Sequence, residues 1–332
     1  MISLGIETSC DDTSVGIVDQ SGKILAQIRA SQDRVHQVWG GIVPELASRA
    51  HLENILPVID MAFRESMVRP DDIDFITCAY GPGLVGSLLV GIETAKALSL
   101  AWNKPLVGVN HLRGHLAAVM LACPEMAMPS LGLLVSGGHS EVIYVEPDFT
   151  VKMLGETRDD AAGETLDKFG RVLGLAYPAG PEIDRMTFIG DQNAIQFPVT
   201  KLKDGSMDFS FSGLKTAGVR AIEKHPEMSK EDMASSFMKA VVDQLLDRLL
   251  LAIEKTDARS IFVVGGVASS AYLKERVTKL GDSVELPVFV PPPSLCTDNG
   301  SMIAYCGFLY QQFGKKSGLD LQPQSRLPIT AM

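Results

Sequence analysis

The chain has 332 residues, 46% hydrophobic and 21% charged. That is enough for about two domains of ordinary globular composition and too much for a peptide or disulfide scaffold. Basic residues number 30 against 40 acidic ones, a net charge of −10; this excludes general charge-driven binding to nucleic acid, so an RNA substrate would need a local basic patch or a partner. No apolar run approaches the roughly 20 residues of a bilayer span. The first residues carry Glu7, Asp11, Asp12 and Asp19 without Lys or Arg, the wrong charge for a leader. The 5 cysteines are scattered and lack CxxC spacing. A reduced, cytoplasmic protein with no membrane contact is expected.

Taken in chain order, residues 2–6, 15–19 and 23–28 read as three strands, the last two joined by the turn Gln20-Ser21-Gly22. Strands at 74–80 and 105–109 each precede a helix, at 83–102 and 110–121. The three-strand opening then recurs at 131–135, 142–146 and 150–154. Pairs 127 positions apart are identical: Ser3 and Ser130, Leu4 and Leu131, Gly5 and Gly132, Ser9 and Ser136, Val15 and Val142, Val18 and Val145. A further strand-helix pair follows at 259–264 and 270–280. A duplicated α/β chain of this grammar describes the actin, sugar-kinase and Hsp70 architecture, two lobes with a nucleotide cleft between them. The lobes are expected at 1–129 and 130–298, with an insertion at about 147–225 and a C-terminal helix from about 299–320 packing back on the first lobe.

Several motifs carry chemistry. In Ser136-Gly137-Gly138-His139 the missing side chains allow backbone N–H groups to converge on a phosphate or carboxylate, although an isolated turn of this kind is more often a plain hairpin. The matching turn at 9–13 favours a nucleotide. Gly265-Gly266 closes a strand, where glycines allow a ring or phosphate to approach or serve strand-helix packing alone. Gly81, Gly83 and Gly86 fit packing better. His111 and His115, four apart on a helix, project from one face and could chelate one metal, with Asp298 as a third ligand; two imidazoles and a carboxylate suit iron(II) or zinc. Asp160, Glu164 and Asp167 would share a helical face, either as a ligand site or as a solvated acidic surface. Asp184 fits either helix stabilisation or a grip on ribose hydroxyls.

Read together, Gly5–Thr13 (GIETSCDDT), Gly40–Glu45 (GGIVPE), Tyr80–Leu84 (YGPGL), Val109-Asn110-His111, Leu134–His139 (LVSGGH), Phe209–Thr216 (FSFSGLKT) and Cys296–Asn299 (CTDN) resemble the TsaD (Gcp/YgjD/Kae-type) family over nearly the whole chain. The resemblance implies an actin-like ATPase fold. It implies transfer of threonylcarbamoyl from threonylcarbamoyl-AMP to N6 of the adenosine 3′ of the anticodon, in tRNAs reading ANN codons. It also implies one divalent metal, iron(II) before zinc, on His111, His115 and Asp298. Leu134, Val135, Ser136, Gly137 and Gly138 would surround the phosphate and acyl end, and Asp167, Gly180 and Asp184 the nucleoside. Ser270 stands where the family carries Asn, a shorter side chain with one hydrogen to donate. Asp11 is the candidate catalytic base. Expected partners are tRNA, a TsaB-like paralogue docked on first-lobe helices and a TsaE-like ATPase, and Lys201, Lys203, Lys215, Arg220 and Lys224 are candidates for the basic patch. Competing readings are a small-molecule kinase of the same superfamily, a metallopeptidase, opposed by the absence of the HExxH glutamate, and a non-catalytic scaffold.

Overall fold

The computed structural model describes residues 1–200 and 205–331, so Lys201 and Lys203 lie outside the described residues. Strands β1 (Ile2–Glu7), β2 (Asp12–Asp19) and β3 (Ile24–Ser31) lead into α1 (Asp33–Gln37) and α2 (Pro44–Ser66). Then come β4 (Phe75–Gly81), α3 (Val85–Trp102), β5 (Leu106–Asn110) and α4 (His111–Ala122). The chain continues through β6 (Ser130–Val135), β7 (Ser140–Val145), β8 (Val151–Glu156), α5 (Ala162–Val172), α6 (Gly180–Thr187), α7 (Ser212–Lys224) and α8 (Lys230–Lys255). It ends with β9 (Ser260–Val264), α9 (Ala271–Ser283), β10 (Val288–Phe289), α10 (Pro293–Cys296) and α11 (Gly300–Gln312). Two compact units result, one of Met1–Pro124 with Thr297–Met332, the other of Glu125–Cys296. Asp298 thus belongs to the first unit. The last helix stops at Gln312, short of the expected 320, and the chain beyond it runs as a tail whose Ser317 bridges to Leu106 on β5.

Each unit holds one five-stranded sheet. The orders are β3-β2-β1-β4-β5 and β10-β9-β6-β7-β8, the same topology written in opposite directions. In both, the first three strands pair antiparallel and the last two parallel. The registers match as well. Ser3 faces Val18 and Ile6 faces Val15 in the first sheet; Ser130 faces Val145 and Leu133 faces Val142 in the second. Adding 127 to both members of these β1–β2 pairs yields the β6–β7 pairs, so the internal repeat seen in the sequence is, in these two hairpins, a repeat of hydrogen-bond register.

The second unit's core lies where Leu131, Leu133 and Val135 of β6 meet α5, α7 and α8, with Phe169 and Phe237 stacked at 3.7 Å. In the first unit α11 covers β1 and β2, while α2 and α3 pack together. By length and composition alone α3 could cross a membrane; here Leu88, Ile92 and Ala95 are buried and Lys96 pairs with Glu93 at 2.8 Å, as in a helix that covers a sheet.

One buried charge weakens the second unit. Glu141, at the start of β7, sits opposite Glu156 with Oε2 lacking a partner. Burial first, and Glu156 second, push its carboxyl from 4.5 up to about 7. A carboxyl whose folded value is raised binds its proton more tightly in the folded state, so the cost is absent below about pH 4.5, grows up to about pH 7 and is complete above it. Glu141→Gln is expected to stabilise the protein by about 2 kcal/mol at alkaline pH and by nothing at acid pH. Urea unfolding at several pH values measures this, and a pH-independent difference would rule it out.

Candidate metal centre and anion-binding loops

Two local constraints place the first cluster. Asn110 caps α4 by accepting from the Leu112 N–H at 2.9 Å, and its amide donates to the Pro328 carbonyl at 2.8 Å. Buried Arg113 donates to the Ile329 carbonyl at 2.8 Å, so the C-terminal tail pins the start of α4, where both histidines stand. The second constraint is the seat of α11. A Cβ on Gly16 would run into the Ser301 backbone, and one on Gly300 into Gly16 and Val15. The N-terminus of α11 therefore lies directly on β2, and Asn299 caps it by accepting from the Met302 N–H at 2.8 Å. Asp298 is carried to the mouth of the loop between β1 and β2.

There His111, His115 and Asp298 each offer a ligand atom, all within 4.8 Å of one another. Asp298 Oδ1 lies 3.2 Å from His115 Nε2 and 3.6 Å from His111 Nε2. His115 is buried, and neither of its ring nitrogens has a hydrogen-bond partner. A buried imidazole nitrogen that faces a carboxylate without a hydrogen bond is costly; a cation shared with that carboxylate removes the cost at Nε2, so the donor set fits the two-imidazole, one-carboxylate metal site expected from the sequence.

The surrounding charges also favour a cation. Burial pushes Asp11 up to about 6, reinforced by Asp298. Asp12 rises to about 7: burial and the nearby Asp298 and Asp11 outweigh its ion pair with Arg29 at 3.3 Å. Burial alone would lower His111, yet Glu7 and Asp298 bring it to about 9. Arg29 also donates to Thr297 Oγ1 at 3.0 Å. Sequence reading missed Glu7, Asp12, Arg29 and His51. The last is buried on α2, accepts from the Thr13 hydroxyl at 2.7 Å and donates to the Cys10 carbonyl at 3.0 Å, so it fixes the loop that carries Asp11. Nothing in their spacing marks these residues, because they meet only through sheet pairing and helix packing.

In the second unit the turn after β6 is closed by the Ser136 N–H donating to the His139 carbonyl at 2.8 Å and the His139 N–H to Ser136 Oγ at 3.1 Å. Leu134 and Val135 are buried in β6. Gly137 and Gly138 have ordinary negative φ, and a Cβ on either would meet nothing within 4 Å. Among the described residues neither amide has an internal acceptor. Neither packing nor backbone strain requires glycine there, and the absence of side chains leaves the amides accessible. Gly180 and Gly266 are equally open, whereas Gly265 has φ of 92° and would strike the Val135 carbonyl. The Gly265-Gly266 pair thus divides between packing and access. Gly81, Gly83 and Gly86 abut Gln324, Ser9 and Ser48, the packing role expected.

The acidic face expected from the sequence does not form, and Lys215, Asp167, Asp184 and Ser270 have partners of their own. Asp160 precedes α5, so Asp160, Glu164 and Asp167 do not share a helical face; Asp160 instead pairs with Lys168 and Lys215. Lys215 is thereby neutralised, leaving Arg220 and Lys224 as the exposed cations of α7. Asp167 accepts from the Ala179 N–H at 2.8 Å, at the start of α6 beside Gly180. Asp184 caps α9, accepting from the Ala271 and Tyr272 N–H groups at 3.0 and 3.1 Å and from the Ser270 hydroxyl. Because Ser270 Oγ donates to Asp184 and accepts from the Leu273 N–H, it has no proton for a ligand.

Residues 23–305 match the family model described as TsaD, tRNA N6-adenosine threonylcarbamoyltransferase. The protein of that name from Moorella thermoacetica is 47% identical over 331 residues, 98% of this chain and 96% of its own. That from Thermosipho africanus is 45% identical over 331 residues, 99% of this chain and 100% of its own. Among solved structures, T. kodakarensis HypF superposes with a TM-score of 0.65 at 15% identity, over 94% of this chain and 48% of its own. Component A of Acidaminococcus fermentans (R)-2-hydroxyglutaryl-CoA dehydratase does so with 0.56 at 13% identity, over 95% and 100%. At such identities the likeness concerns the fold alone, the actin-like ATPase fold.

The open glycines separate binding from folding. Gly138→Ala is expected to leave the unfolding midpoint unchanged and to weaken AMP binding, measured by calorimetry, by roughly tenfold or more. Unchanged AMP affinity would return this loop to a plain hairpin turn.

Proposed function

We propose which residues carry each part of the reaction from one premise: the chain belongs to the tRNA N6-adenosine threonylcarbamoyltransferase family. It is an acyltransferase that moves the threonylcarbamoyl group of threonylcarbamoyl-AMP to N6 of the adenosine 3′ of the anticodon in tRNAs reading ANN codons. A kinase or metallopeptidase reading is not favoured, since the relatives are named for threonylcarbamoyl transfer. A tRNA substrate supports a cytoplasmic location.

In the transfer, the exocyclic amine attacks the carbamoyl carbon of the mixed anhydride, the new N–C bond forms, the C–O bond to phosphate breaks, AMP leaves, and the amine gives up a proton. The Gly137 and Gly138 amides stabilise the negative charge that develops on the acyl phosphate. Leu134, Val135 and Ser136 shape that loop, and Gly180, held by Asp167, offers an open helix start to the nucleoside; Asp184 acts there through the α9 cap it makes with Ser270. Asp11 takes the amine proton, its carboxyl being raised by burial toward the range of an effective general base. His111, His115 and Asp298 hold one divalent metal, iron(II) before zinc, which when bound supplies a Lewis acid. The observation that supports this most directly is the convergence of those three side chains, with the buried His115 imidazole facing Asp298 but making no hydrogen bond.

Nucleoside mass analysis of tRNA incubated with the protein, its partners, threonine, bicarbonate, ATP and the adenylate-forming enzyme tests the reading. The wild type adds a threonylcarbamoyl increment to adenosine, and His111→Ala or Asp298→Ala slows this by about 100-fold. Full transfer by a variant without metal would remove the metal from the reaction.

A TsaB-like paralogue and a TsaE-like ATPase complete the proposed machinery. The paralogue docks on the first unit, where α2 and α3 expose Leu52, Leu56, Leu89 and Leu100 at 66%, 66%, 38% and 65%. The double variant Leu56→Glu, Leu89→Glu should stay folded and lose the complex in light scattering with purified paralogue; a complex of unchanged mass would place the interface elsewhere.

A further inference from the structure

The end of β1 places one more acidic side chain against the metal cluster. Glu7 is fully buried, with 0% of its surface exposed. Its Oε1 accepts from the Ser9 N–H at 2.5 Å, and its Oε2 lies 2.9 Å from His111 Nδ1. Ser9 Oγ lies 3.1 Å from the same nitrogen. An ionised carboxylate only accepts hydrogen bonds, so this contact requires the hydrogen of His111 on Nδ1. The opposite nitrogen, Nε2, faces Asp298 Oδ1 at 3.6 Å. His115 has no such support, since its Nδ1 is without a partner. The two histidines are therefore unequal at Nδ1: that of His111 is braced by a buried carboxylate, and that of His115 has no hydrogen-bond partner.

We propose that Glu7 is a positioning residue for the metal centre, fixing His111 in the Nδ1–H tautomer and aiming Nε2 at the ion, with Ser9 in a secondary part. The inference rests on the reading that His111, His115 and Asp298 bind a metal. A carboxylate bonded to the outer nitrogen of a ligating imidazole makes the inner nitrogen more basic and fixes the ring's orientation, and losing such a partner typically costs 10–100-fold in metal affinity. The position of Glu7 also explains why the loop after β1 turns where it does. The same carboxylate holds the Ser9 amide, so the metal ligand and the loop that carries Asp11 share one anchor.

The test is metal affinity, read by competition of zinc against a chromophoric chelator, with circular dichroism to confirm folding. Glu7→Gln should bind zinc roughly 10–100-fold more weakly than the wild type, and Ser9→Ala by a smaller factor. If Glu7→Gln binds as tightly as the wild type, or Ser9→Ala alone accounts for the loss, the proposal is overturned while the metal site stands. A His115→Ala control that binds zinc as tightly as the wild type would instead refute the metal site, and the proposal with it. Nitrogen-15 NMR of the zinc-loaded wild type gives an answer even if the buried substitution fails to fold. His111 should show a proton on Nδ1 and zinc on Nε2, and the reverse assignment overturns the proposal.

Discussion

The first unit's chemistry depends on how closely the N-terminus of α11 lies on β1 and β2. Gly5, Gly16 and Gly300 leave no room for a Cβ between helix and sheet, and Gly114 brings α4 against Ile303 and Met302 on the same helix. A single added carbon at Gly16 would have to move backbone rather than a flexible side chain, and overpacking of this kind costs about 1–3 kcal/mol. That seat delivers Asp298, which lies immediately before α11 and nearly 200 positions from the histidines in sequence, to their ligand atoms. It also brings Asp298 close enough to Asp11 and Asp12 to raise the affinity of both carboxyls for protons. Such crowding is unfavourable without a cation and favourable with one.

The repeat has diverged by charge while keeping its geometry. Ser9 and Ser136 occupy the same place in two sheets of the same topology and register. After Ser9 come Cys10, Asp11 and Asp12, half-buried and carrying two carboxyls; after Ser136 come two open glycines with free amides. A carboxylate-rich loop suits a cation and proton transfer, and a bare amide loop suits an anion. Duplication thus supplied two equivalent loops, and side-chain chemistry made them complementary in sign. The net charge of −10 fits this division, because the groups proposed to bind the acyl nucleotide are backbone amides and need no lysine or arginine.

Much of this was legible in the sequence because it is written at short range. Strand alternation, turn residues and the identities 127 apart indicated the twin sheets, and the four-residue spacing of His111 and His115 indicated a shared helical face. What required tertiary contacts was not legible. Glu7 ends a strand whose pattern gives no hint of a histidine about a hundred residues on. His51 braces the loop after β1 through Thr13 and the Cys10 carbonyl, two partners set by β-sheet register. The acidic face drawn through Asp160 failed because α5 begins only at Ala162, and Ser270 proved to be a cap whose one proton is already given to Asp184. Helix starts and caps lie within a residue or two of where periodicity ends, and there local competition for hydrogen bonds decides the outcome.

The most direct test of a metal centre built from α4 and the start of α11 is anomalous diffraction from crystals grown with iron(II), collected on both sides of the iron edge. The account predicts one peak per chain, bonded at about 2.0–2.2 Å to a nitrogen of His111, a nitrogen of His115 and an oxygen of Asp298. Iron-replete, active crystals whose only peak lies away from these side chains would contradict it.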